Sequence, residues 1–145
     1  MDLLNTQTEI IKLFVAALLG AFLGVRREMA ALESKKNRSF MGFRTMVLIA
    51  ITGTVSTFFP VMPWMPAICF GGLLLFLGIA YANGAINLHR IGITSEFTAI
   101  LMFLIGVLCG YENYTIATII TVLLGYLNAF KSDLQEFFKT LNIPE

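Results

Sequence analysis

The side chains able to do chemistry in this 145-residue chain are few, and they gather at the ends of apolar runs. Glu28 closes the first run and Glu96 opens a later one, while Asn83, Asn87 and Asn128 supply amide oxygens near the ends of others. Mg²⁺ takes carboxylate and carbonyl oxygens and keeps several waters. Glu28 and Glu96 are therefore the candidate metal ligands, and Arg44 and the three asparagines complete the set of ion or substrate candidates. Arg26, Arg27, Arg44 and Arg90 outnumber those two carboxylates, so an anion, a phosphate or a lipid headgroup would be received there more easily than a bare cation. The single histidine, His89, sits beside Arg90 and cannot build a metal site alone. Cys69 and Cys109 lie within apolar runs, where a thiol is most simply a small core residue. There is no nucleophile and base arrangement, no HExxH, no P-loop and no CxxC. The serines and threonines are scattered among apolar residues, where they are expected to bond backbone carbonyls. Enzymatic chemistry is not expected, and Mg²⁺ is the one cofactor that enters the reading.

These residues hang on an apolar scaffold. With 57% apolar and 13% charged residues and a mean hydropathy of +0.81, the composition excludes an ordinary soluble domain. The expected architecture is all-α, a polytopic membrane helix bundle forming a single domain over residues 1–145 with the lipid bilayer as its surroundings. A net charge of +1 gives no basis for a nucleic-acid partner. A bilayer core needs about 20 helical residues, with 17 acceptable, and five runs approach this: 10–25, 46–62, 64–82, 97–111 and 114–130. Lys12 interrupts the first, and its stem is expected to lie along the helix while the ammonium reaches the interface. Pro60, Pro63 and Pro66 around Trp64 form a hairpin between the second and third runs.

The basic loop 26–44 carries Arg26, Arg27, Lys35, Lys36, Arg38 and Arg44; Arg90, Lys131 and Lys139 fall on the same side, leaving Lys12 opposite. Positive residues are retained in the cytoplasm, so five transmembrane helices with the N-terminus outside and the C-terminus inside are expected. The first ten residues carry Asp2 and Glu9 and neither Lys nor Arg, unlike a cleaved leader. The first run is read as a permanent helix, and the LQEFF stretch of the tail as the last helix running on along the interface.

Helices in lipid associate through small residues and hydrogen bonds. Gly20 and Gly24 in the first run, and Gly106 and Gly110 in the fourth, are the expected helix-packing positions. A carboxylate at a helix C-terminus and a cation at an N-terminus are both disfavoured by the macrodipole. On that ground Glu28 and Arg44 are expected to pair, with Gly42 permitting the close turn between them. Glu96, after Thr94 and Ser95, is well placed at a helix start.

LLGAFLGVRRE, Leu18 to Glu28, followed by a basic loop and GFRTMVLIAITG, Gly42 to Gly53, resembles the MgtC/SapB membrane domain. Its hallmark is a small-residue helix ending in G-x-E-R-E and then G-L-R-T-H. GITSE, Gly92 to Glu96, looks like the GxTTE or GxTTA segment that opens a later helix in that family. The resemblance runs from about Ile10 to Asn128 and implicates Gly20, Gly24, Arg27, Glu28, Gly42, Arg44 and Thr45. Arg26 stands where the family often has an acidic residue, and Met46 where it has histidine. The resemblance implies an MgtC-like unit without the cytosolic C-terminal domain, in the cytoplasmic membrane of a bacterium or archaeon. It also implies a part in ion transport or homeostasis, of Mg²⁺ above all. Two molecular roles fit: a subunit of a transport assembly, homo-oligomeric or joined to a second membrane half, or a non-transporting regulator of another membrane complex such as the ATP synthase. Transport predicts polar stripes converging on a wet cavity, whereas the regulator predicts a dry bundle with one glycine-rich face left outward.

Overall fold

The structure, a computed structural model, describes residues 2–33, 42–88 and 93–140, with side chains described over 6–29, 42–82 and 96–127. Among the described residues all regular structure is helical: α1 (Asp2–Glu33), α2 (Phe43–Ser56), α3 (Met65–Leu88), α4 (Ile93–Gly110) and α5 (Tyr114–Thr140). Two helices are long and apolar enough to cross a membrane, over Thr6–Met29 and Met65–Ala82; Phe43–Ser56, Glu96–Gly110 and Tyr114–Leu127 are shorter apolar segments.

Helix limits differ from the sequence expectation where local chemistry overrides hydropathy. α1 does not stop at Val25 but runs through REMAALE to Glu33, because Arg, Glu, Met, Ala and Leu are good helix formers whatever their polarity. α2 stops at Ser56 rather than Met62. The hydroxyls of Ser56 and Thr57 donate to the carbonyls of Gly53 at 2.6 Å and Thr54 at 2.7 Å, and Pro60 lacks the N–H that a continuing helix needs. A chain of short turns, Met62 N to Phe59 O and Met65 N to Met62 O, both 3.0 Å, carries the backbone into α3, which accepts Pro66 in its first turn.

α2 lies between α1 and α4, with α5 against α1 and α4 and α3 at the edge. The closest approach is between α2 and α4. A methyl group at Gly53 would overlap the Phe103 carbonyl, and one at Gly106 the Ala50 carbonyl. Thr54 Oγ1 donates across this crossing to the Gly106 carbonyl at 2.9 Å. On the other side of α2, a methyl at Gly20 would lie 3.0 Å from Met46 O and Val47 Cα, and one at Gly24 2.8 Å from Phe43 Cα. The buried interior is built from Ala16 and Leu23 of α1, Met46 and Ala50 of α2, Met102, Phe103 and Ile105 of α4, and Ala117 of α5. α3 contributes Leu77 and the Phe70 ring, 5.6 Å from that of Phe103.

Gly106→Leu should therefore lower thermal stability in mild detergent by about 3 kcal/mol or abolish folding, since the opposing atoms are backbone and cannot repack. Gly71→Leu on α3, where nothing lies within 4 Å, should leave the isolated chain within about 0.5 kcal/mol of wild type. Equal losses would show that the α2–α4 crossing is not the tightest contact.

Candidate functional site

Charged side chains occupy both ends of the bundle. At one end α4 closes in a Schellman turn: Asn113 N donates to Leu108 O and Glu112 N to Cys109 O, both at 3.0 Å. Glu112 occupies the left-handed position of that turn, with φ 64°, where glycine is usual. A side chain there costs about 1 kcal/mol, and Glu112 puts its side chain to use: Oε1 lies 3.0 Å from Lys12 Nζ on α1. Lys12 does not run alone to an interface, as its place in an apolar helix suggests. It is 16% exposed and held by a carboxylate that is 56% exposed. The sequence signal for this pair was faint: Lys12 interrupts an apolar run, and Glu112 is the acidic residue of a tight turn.

At the other end the partner of α1 is again α4. Arg27 is half-buried, and the Glu96 carboxylate acts on it electrostatically. Arg27 Nη1 and Glu96 Oε2 are both closed off from solvent, and Oε2 accepts no hydrogen bond among the described residues. Arg26, one position earlier and exposed, lies over the Phe22 ring at 5.9 Å.

The expected Glu28–Arg44 pair is not formed. Both side chains are exposed, and among the described residues no ion pair joins them. The dipole argument loses its premise because α1 continues to Glu33, so Glu28 is interior to a helix and not at its end. Gly42 caps α2 at φ −79°, ψ 179°, extended backbone open to any residue, with nothing within 4 Å of where a Cβ would stand; no special turn requires it. Its carbonyl accepts from Thr45 N at 3.1 Å and Met46 N at 3.4 Å. The candidate carboxylates thus part company, Glu28 exposed and Glu96 half-buried within electrostatic reach of Arg27. Among the described residues no group of three or more His, Cys, Asp or Glu side chains is placed to hold a metal. Asn83 and Asn87 lie on α3 and Asn128 on α5; their side chains, like His89 and Arg90, are outside the described residues. Cys109 is buried, Cys69 half-buried, and both are free thiols.

Hydroxyls within the bundle are committed to backbone. Thr121 Oγ1 donates to Ala117 O at 2.7 Å, and Ser56 and Thr54 bond to carbonyls as described above. Among the described residues an open groove of about 470 Å³ runs along the outside of α3, lined by Gly71, Leu74, Leu75, Gly78, Ile79 and Ala82.

A bundle of apolar helices with charge confined to its ends is the form of a small membrane-associated helical protein. The chain belongs to the MgtC family, which it matches over residues 13–137, nearly the whole of the bundle. No curated protein and no solved structure matches it. Membership ties the chain to a role related to magnesium homeostasis.

Lys12→Met and Glu112→Gln should each lower unfolding stability in detergent by about 0.5–1 kcal/mol, a modest effect because Glu112 is half in solvent. The double variant should lose less than the sum of the two. Arg27→Gln, which removes a half-buried guanidinium near Glu96, should cost about 1–2 kcal/mol, whereas Glu28→Gln and Arg44→Gln stay within about 0.5 kcal/mol. A larger loss at Arg44 than at Arg27 would reverse this assignment.

Proposed function

We propose that this chain is a multi-pass protein of a bacterial or archaeal cytoplasmic membrane. In this reading it has five spans, N-terminus outside and C-terminus inside, and serves Mg²⁺ homeostasis through a membrane partner instead of conducting the ion alone. Family membership supports the magnesium connection. The loop from Arg26 to Arg44 and the near-absence of cations on the opposite side support the orientation. The observation that carries the choice of role is the open glycine-bearing face of α3. Among the described residues, the buried hydroxyls of Thr54, Ser56 and Thr121 are bonded to backbone carbonyls. Meanwhile Gly71, Gly72 and Gly78 of α3 have nothing within 4 Å, while the described glycines of the other helices each meet a neighbouring helix.

Small residues on a membrane helix let another backbone approach closely, and a second copy of the chain or a second membrane half suits that face. A non-enzymatic unit of this kind regulates or completes a transport assembly. Reconstituted alone and shown to be folded, the protein should pass no Mg²⁺ above empty vesicles. Gly78→Leu should leave its detergent stability unchanged yet abolish growth at low Mg²⁺ of cells that depend on it. Flux by the chain alone, lost in Glu96→Gln, would replace this reading with a self-sufficient transporter.

A further inference from the structure

Charged side chains mark two levels on the bundle, the Lys12–Glu112 pair at one and Arg26, Arg27 and Glu96 at the other, and the distance between them is short. Lys12 and Arg27 are fifteen residues apart on α1, which at the helical rise is about 22 Å. On α4, Glu96 lies fourteen residues before the helix end at Gly110, about 21 Å by the same rise, and Glu112 follows in the turn beyond it. The upper level is a true boundary, because the backbone reverses there: the α4–α5 turn is closed within Tyr111 to Asn113, and its Glu112 carboxylate holds Lys12 at 3.0 Å. Thr57, just past the end of α2, meets Gly110 at the same end.

At the lower level the charge reaches inward, not outward. The guanidinium of Arg26 lies over Phe22, one turn back toward the middle of α1, and Arg27 is half-buried. The apolar segments between the levels agree, with 14 residues in α2, about 21 Å at the helical rise. Lys12, whose long side chain could reach outward for the headgroups, is held by Glu112 within the fold.

A typical hydrocarbon core is about 30 Å thick. Resting on the membrane-spanning reading above, we propose that this chain is fitted to a thin hydrocarbon layer of about 22 Å. The surface around α1, α2 and α4 takes lipids of short acyl chain, or thins the bilayer beside it. α3, apolar over the 18 residues Met65–Ala82, meets a thin layer by tilting.

The test is reconstitution of the whole protein into phosphatidylcholine vesicles with acyl chains of about 14, 18 and 22 carbons, followed by vesicle flotation after alkaline wash and by thermal unfolding. The expected result is integration in all three, with a melting temperature highest in the shortest chains and lower by several degrees in the longest. The double variant Lys12→Leu with Glu112→Gly, which erases one level while relieving the left-handed residue, should move the optimum toward longer chains. Integration with a melting temperature that is flat, or highest in the longest chains, would overturn the fit to a thin layer. Failure to float with vesicles of any chain length would instead overturn the membrane-spanning reading itself. Should the variant not fold, the wild-type series alone decides.

Discussion

Where α2 crosses α4, Gly53 and Gly106 leave no space for a side chain, and that steric exclusion sets the level of the other elements. With Ala50 opposite Gly106 and Thr57 opposite Gly110, α4 can close only at the end of the bundle where α2 also ends. That register carries the α4–α5 turn, and with it Glu112, to a fixed height. α1 is placed independently by its own small residues, Gly20 against Met46 and Val47 and Gly24 against Phe43. The Lys12–Glu112 contact and the approach of Glu96 to Arg27 therefore follow from two backbone registers. The Lys12–Glu112 pair reports the alignment; the glycine contacts impose it.

The energetics of such a bundle differ from those of a water-soluble core. In hydrocarbon, apolar side chains gain little by leaving lipid for protein, so association draws on dispersion at close contact and on hydrogen bonds. Backbone-to-backbone approach maximises the first. The hydroxyls supply the second while remaining satisfied: Thr54 Oγ1 lies 3.2 Å from its own helix's Ala50 carbonyl and 2.9 Å from Gly106 of α4. A threonine that can always fall back on a local carbonyl carries little penalty if the crossing loosens. This explains how α2 and α4 stay together without a polar network that water would have to fill.

Much of this was legible in the residues. The apolar runs located all five helices, and the proline cluster located the α2–α3 hairpin, because both signals are local. Helix ends were read less well: hydropathy marks where lipid-compatible residues stop, while the helix itself stops where hydrogen bonding fails. α1 passes straight through Arg26–Glu33 for that reason, and α2 falls short of Met62. The Glu28–Arg44 pairing failed because it inherited the wrong end for α1. Arg27, singled out by its place in the family motif, and Glu96, singled out as a carboxylate, were each visible alone. Their proximity depends on the register of α1 against α4, which is set through α2 and is written in no stretch of sequence that contains either residue. Glu112 was hidden by its type: a glutamate at a left-handed position is contrary to turn preference, and its meaning comes from Lys12, a hundred residues earlier.

α3 joins these threads. It is held to the bundle along one narrow strip through Phe70 and Leu77, whereas α1, α2 and α4 are locked by contacts that tolerate no added atom. Its opposite face offers Gly71, Gly78 and Ala82 beside Leu74, Leu75 and Ile79, a groove that acyl chains fill poorly because disordered chains cannot pack against a fixed backbone as another helix does. The same face carries no charge and no hydroxyl, so its one physical advantage is closeness of approach. A helix attached on one narrow strip can tilt to suit the membrane or a neighbour without disturbing the α1–α2–α4 core. The chain thus divides its glycines between two tasks: those of the core fix the charged levels, and those of α3 remain available to whatever stands beside it in the membrane.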